Sequence, residues 1–245
     1  MLLGDKRVRS TNGGYLALTE AAKKGRVEIV KWLLSHPSVV IPRNDPRLLF
    51  NSTSGVLELL IPLFDITNNL FIDAVEHCNV ELVRFLLKHP DIDPSHRDNY
   101  CILTVFMNGC SITEYFDTIK LLLADPRVNP AVRRNRPIEY ACGFGHTGLV
   151  QLLLANPRVN PADNHNRAII VACSNNRLET IQLMLADHRV DPSDRDNAAI
   201  KEAAESRQKD TLLLLLGSSK ISIEVKKQYS RGLVSDDEFN AAVNK

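Results

Sequence analysis

The chain has 245 residues, 44% apolar and 24% charged, ordinary material for a folded protein with a sizeable core. Lysine and arginine total 30 against 29 acidic residues, and the formal net charge of +1 gives no overall reason to expect nucleic acid or an anionic membrane as partner. Leu212–Leu216 is far below the ~18 apolar residues that span a bilayer, and MLLGDKRVRS lacks a signal-peptide core and cleavage site, so an intracellular location, cytoplasmic or nuclear, is expected.

Residues 1–12 read as a loosely capping tail. Leu16–Leu34 reads as two short helices broken at Gly25, with Trp32 expected in the core and His36-Pro37 ending the second helix. Residues 42–66 read as a degenerate version of the same pair: Leu48–Phe50, then Val56–Leu63, with Gly55 as the candidate reversal and Pro62 shortening or kinking the second helix. Asn68–Leu87 returns to the pattern, with Asn79 at the reversal. Residues 95–126 give a fourth good unit with five extra residues, expected as a loop at Asn108–Thr113. Three regular copies follow, starting at Pro130, Pro161 and Pro192 and therefore 31 residues apart. Self-similarity at a fixed period marks a stacked repeat. About seven units, one of them poor, fill residues 1–216.

Each copy dictates its own local structure. Ala168, Ile169, Ala172 and Cys173 share one helical face, and Leu178, Ile181 and Leu185 resume a second helix after an interruption. The interruption holds Gly25, Asn79, Gly145, Asn176 and Arg207, and glycine and asparagine tolerate the left-handed conformation that stops a helix. The joining piece, Pro157-Arg-Val-Asn-Pro161 and its equivalents, cannot continue a helix and predicts an extended arm. The arm leads to a polar tip closed each time by Asn99, Asn135, Asn166 or Asn197, placed to cap a turn or the following helix. Cys142 and Cys173 share a position with Ala22 and Ala204, which predicts a small buried slot rather than a disulfide or a ligand set.

Helix, turn, helix and protruding arm, with A-x-x-x-G-x-x-E-x-V-x-x-L-L over Ala21–Leu34, resemble the ankyrin repeat. Ala21, Gly25, Glu28, Val30, Leu33 and Leu34 match the helical consensus, and Arg136-Pro137-Ile138-Glu139 is nearest to the Thr-Pro-Leu-His start. The period is two shorter than the family's usual ~33 residues, a variety similar to arrays of large DNA viruses and single-celled eukaryotes. A tetratricopeptide repeat would need a Trp-Leu-Gly-Tyr signature that is absent. The resemblance implies an all-α ankyrin-repeat solenoid of paired short antiparallel helices with extended hairpin-like arms.

No catalytic or phosphate-binding motif stands out, the histidines fall mostly in joints where they are expected to cap helix carbonyls, and no cofactor or metal site is expected. Arg127, Arg158 and Arg189 form a column that either bonds neighbouring arms or meets a partner. By resemblance, a partner protein is read by the varying arm tips, Val132, Arg133, Arg134, Asp163, Asn164, His165, Asp194 and Arg195. The first-helix face adds Glu139, Tyr140, Ile170 and Lys201. The expected function is a non-catalytic scaffold or adaptor with neither a small-molecule substrate nor a membrane partner. The alternatives are nucleic-acid association through the arginine column and self-assembly through a C-terminal hairpin. That hairpin lies in residues 217–245, read as a helical cap with Ser235-Asp-Asp-Glu238 as a capping box.

Overall fold

A computed structural model of the chain describes residues 11–43, 45–107 and 112–244. Among these residues every regular element is helical. The chain divides into two compact units, one of residues 1–101 with 113–128 and the other of residues 102–112 with 129–245.

The first unit holds α1 (Thr11–Lys23), α2 (Val27–Leu34), α3 (Arg47–Phe50), α4 (Ser54–Leu60), α5 (Asn68–Glu76) and α6 (Val80–Leu86). It also takes the start of α7 (His96–Met107) and nearly all of α8 (Ile112–Ala124). α1 pairs with α2 and α5 with α6, while α2, α4 and α6 pack in succession. The packing follows the apolar spacing: Leu18, Ala22, Val30, Leu57, Leu60, Phe71, Val75 and Leu82 are fully buried. Residues 42–66 thus keep a repeat's place in the second-helix layer, with a first helix cut to four residues.

Several expectations need correction here. Thr11 and Asn12 belong to α1 rather than to a tail; residues 1–10 lie outside the described residues. Trp32 is half exposed, because its neighbour Leu33 takes the buried place. Gly55 lies within α4, and the reversal falls at Asn51–Thr53; a Cβ on Gly55 would meet Val27 Cγ2 at 3.3 Å, so the close approach of α2 favours glycine there. Pro62 does shorten the helix, which ends in a 3₁₀ turn at Ile61–Leu63. The left-handed residue before α6 is Cys78 (φ 54°), not Asn79. Asn79 instead caps α6, accepting from Leu82 N at 3.0 Å, and donates to Phe50 O at 2.9 Å. An amide in that place satisfies two backbone groups, which outweighs the conformational cost at Cys78. The loop expected at Asn108–Thr113 falls mainly outside the described residues.

The second unit continues from the end of α7 with α9 (Val132–Phe144), α10 (Thr147–Leu154), α11 (Asp163–Ser174), α12 (Leu178–Ala186), α13 (Asp194–Glu205) and α14 (Lys209–Leu216). α15 (Ile223–Ser230) and α16 (Asp236–Val243) complete it. α9, α11, α13 and α15 stack as one layer, and α10, α12, α14 and α16 as the other. Ile138, Ala141, Cys142, Ile169, Ala172, Cys173, Ile200 and Leu212 are buried between and within the layers. Burial pushes the Cys173 thiol up to about 12, and that of Cys142 in the same direction, so both stay protonated.

The C-terminal pair carries the repeat further than its sequence suggests. Val128, Val159 and Val190 are buried in successive arms, and Ile221 occupies the next place at the same spacing. Lys220 stands where the arginine would be and donates to His188 O at 2.9 Å and to Val190 O. α15 then begins at once, without a tip. The expected capping box is present, with Ser235 Oγ accepting from Glu238 N and Glu238 Oε2 from Ser235 N.

Candidate partner-binding surface

The arm is a series of turns rather than a pair of strands. The residue that ends the second helix accepts the amide two residues on: Asp125 from Arg127, Asn156 from Arg158, Asp187 from Arg189 and Ser218 from Lys220. His36 and His89 do the same through Nδ1, so these two close turns instead of capping helix carbonyls. A second such turn follows at Asn129, Asn160 and Asp191.

The arm tip is one left-handed turn. Arg133, Arg134 and Asn135 all have φ between 52° and 60°, and Asn164–Asn166 and Arg195–Asn197 repeat the geometry. Each turn closes with the asparagine amide donating to the carbonyl four residues back, at 3.0 Å. Left-handed backbone costs ~1–2 kcal/mol per residue that is not glycine, with Asn and Asp the least penalised. The closing asparagine supplies the offset by a route that capping logic does not reach. Asn135 is 4% exposed; its Nδ2 donates to Asp163 Oδ2 at 2.9 Å, and its Oδ1 accepts from Asn160 N at 3.3 Å, both in the next arm. Asn166 repeats both bonds with Asp194 and Asp191, at 3.0 and 2.7 Å. In the first unit Asn68 makes the equivalent bond to Asp93 N at 2.9 Å.

These bonds divide the predicted tip residues. Val132 is 2% exposed and so is unavailable to a partner. Asp163 and Asp194 are occupied by the asparagine bridge and by the amides of Asn164 and Arg195. Asn164 is half-buried and donates to Glu139 Oε1 at 3.0 Å. Arg133, Arg134, His165 and Arg195 remain exposed, with His165 Nδ1 3.8 Å from Asp194 Oδ1.

On the first-helix face, Glu139 is buried at 7% exposure and holds Arg136 at 3.3 Å, and Ile170 is only 4% exposed. Tyr140 is half-buried beneath the Arg136 guanidinium, 5.2 Å from its ring centre. Lys201 is exposed and lies 3.9 Å from Glu205. Ile170, Arg195 and Lys201 come together in an open groove of about 350 Å³ that Tyr229 closes from α15. Sequence reasoning missed Tyr229, and it missed Phe144, which is 48% exposed although the matching positions carry Asn175 and Ser206.

The arginine column is engaged within the fold. Arg127 donates to Ile92 O and Leu87 O at 2.8 and 2.7 Å, and Arg189 to Val159 O and Leu154 O at 3.0 and 2.9 Å. Each is also paired with its own turn carboxylate, Asp125 or Asp187, at 2.7 and 2.6 Å. The bond to the helix end spans 40 residues in one case and 35 in the other, which measures the five-residue insertion. Cationic groups on helix-end carbonyls also suit the helix dipole.

Among the described residues no cluster of His, Cys, Asp or Glu could hold a metal ion, and no helix is long and apolar enough to cross a membrane. Comparison with curated proteins and with solved structures returned no match. Family models do match: Ankyrin repeats (3 copies) at residues 106–196 and 138–227, Ankyrin repeats (many copies) at 71–123, and Ankyrin repeat at 13–44. Ankyrin repeats are generally protein–protein interaction modules and typically non-enzymatic. The stacked helix pairs, the left-handed reversals and these matches agree: the chain belongs to the ankyrin repeat family.

Proposed function

We propose that the chain is a non-catalytic adaptor that binds another protein through its arm tips and the concave face of its first helices. One observation carries this reading. The residues shared by the regular copies, such as Asn135, Asn166, Arg127 and Arg189, are spent on bonds between copies, whereas residues that vary at the tips, Arg134, His165 and Arg195, are exposed. A surface that is rigidly held and chemically different from copy to copy suits recognition of one partner by several contacts. The arginine column, engaged with carbonyls and carboxylates, gives little support to nucleic-acid binding. Residues 217–245 we read as the cap of the stack, since α15 and α16 continue both layers without adding a tip.

Affinity purification from the native cell, with wild type beside Arg133→Glu/Arg134→Glu, tests the tip reading. Proteins held by wild type and lost from the variant are expected. An identical catch from both would contradict the tips as the binding site.

A further inference from the structure

The copy between Pro130 and Asn160 differs from its neighbours in two ways that coincide. Arg136, Tyr140 and Phe144 lie four residues apart on one face of α9. The guanidinium stands over the tyrosine ring; Tyr140 and Phe144 are stacked at 6.5 Å between ring centres and 18°, and Phe144 stacks on His146 at 5.7 Å and 27°. The result is a continuous stripe of π-surface along one first helix, ending in an exposed ring. The next copies carry Val171 and Asn175, then Glu202 and Ser206, at the tyrosine and phenylalanine positions, so stacking does not require aromatics there.

The same copy is the most basic of the three regular ones. Its four arginines stand against one carboxylate, Glu139, which is buried and already holds Arg136 and Asn164. From the next copy Arg177 leans back across Gly145, with Nε donating to Gly143 O at 3.1 Å, one residue from Phe144 along the chain. At the other end of the stripe Arg134 is exposed on the left-handed tip.

We propose that this stripe binds an acidic segment of a partner protein bearing an aromatic side chain, with the ring laid on Tyr140 and Phe144 and the carboxylates reaching Arg134 and Arg177. The proposal rests on the adaptor reading and names the chemistry of the partner. Stacked rings beside arginines also suit single-stranded nucleic acid, but such a strand needs a cationic track. Here the next copy, Pro161–Asp191, carries four carboxylates against three arginines and lends only Arg177 to the stripe, so no long basic track continues along that copy. A short acidic motif fits that extent, and a phosphate backbone does not.

Fluorescence anisotropy on the full chain tests this with a labelled peptide Asp-Glu-Asp-Trp-Asp-Glu-Asp, the same peptide with Ala for Trp, and a labelled oligothymidylate. The Trp peptide is expected to bind, the Ala peptide more weakly, and Phe144→Asn to weaken binding of the Trp peptide by about tenfold or more, the loss typical of a buried aromatic anchor. Asn is the residue of the next copy at that position, so this variant is expected to fold, and an unchanged circular dichroism melt verifies it. Failure of the Trp peptide to bind, equal binding of the Ala peptide, unchanged affinity in Phe144→Asn, or tighter binding of oligothymidylate would each overturn the proposal. A native partner lost from Arg133→Glu/Arg134→Glu but held fully by Phe144→Asn would overturn it while leaving the adaptor reading intact.

Discussion

Asn166 spends its whole side chain on the neighbouring copy, and the carboxylate it meets is affected in turn. The hydrogen bond from Asn166, helped by the Arg195 amide, holds the Asp194 carboxyl below its usual range; Arg189 does the same for Asp187, and Ser95 for Asp93. A carboxyl depressed on folding contributes stability that is full above its unfolded value of ~3.9 and is lost as pH falls through the folded value. Urea midpoints should therefore drop as pH falls from about 5 to about 2. Asp187→Asn should flatten part of that slope, since Asn156 fills the same turn position in the preceding copy. A slope unchanged by Asp187→Asn would show that the Arg189 pair plays no part. The sequence displayed these asparagines and aspartates at equal spacing, but not their use. Capping reasoning assigns an asparagine to its own helix, and only the left-handed turn reveals that the side chain reaches the next arm.

Among the elements, the helices were legible because apolar spacing and buried alanine or cysteine positions leave one face to pack, and Leu33, Leu82, Leu153 and Leu212 are buried as that spacing requires. The reversals were legible at Gly25 and Gly145, misassigned at Gly55, which lies within α4, and misplaced by one residue where Cys78 took the left-handed place beside a capping Asn79. The same position in the last regular copy is Arg207, exposed, with φ of 52°. Glycine relieves left-handed strain of ~1–2 kcal/mol against a backbone entropy cost of ~0.5–1 kcal/mol. Arg207→Gly should therefore raise the unfolding free energy by about 0.5–1 kcal/mol in urea titration. A loss of stability would mean that the arginine side chain contributes more than its backbone costs. The tips were the least legible elements, because three successive left-handed residues that are not glycine contradict local preference and are held by bonds between copies.

For the molecule as a whole, the repeat period was the strongest signal in the sequence and predicted the stack, while the motif over Ala21–Leu34 carried the resemblance to the family that the matches show. The candidate surface was legible only in part: Arg133, Arg134, His165, Arg195 and Lys201 are exposed as expected, while Val132, Glu139 and Ile170 are buried. Variation between copies marks the surface proposed for a partner, but burial within a tip depends on which way each residue of the turn faces. The stack's support and the proposed recognition therefore fall on adjacent residues, and the most direct test compares two of them by urea unfolding. Asn135→Ala, which removes both bonds to the next arm, should cost about 1–3 kcal/mol. Arg134→Glu, at the neighbouring exposed position, should change stability by less than about 0.5 kcal/mol. That pair of results would place the stack's support in the asparagine and leave the arginine free for a partner. A large loss from Arg134→Glu with none from Asn135→Ala would contradict this division of the tip.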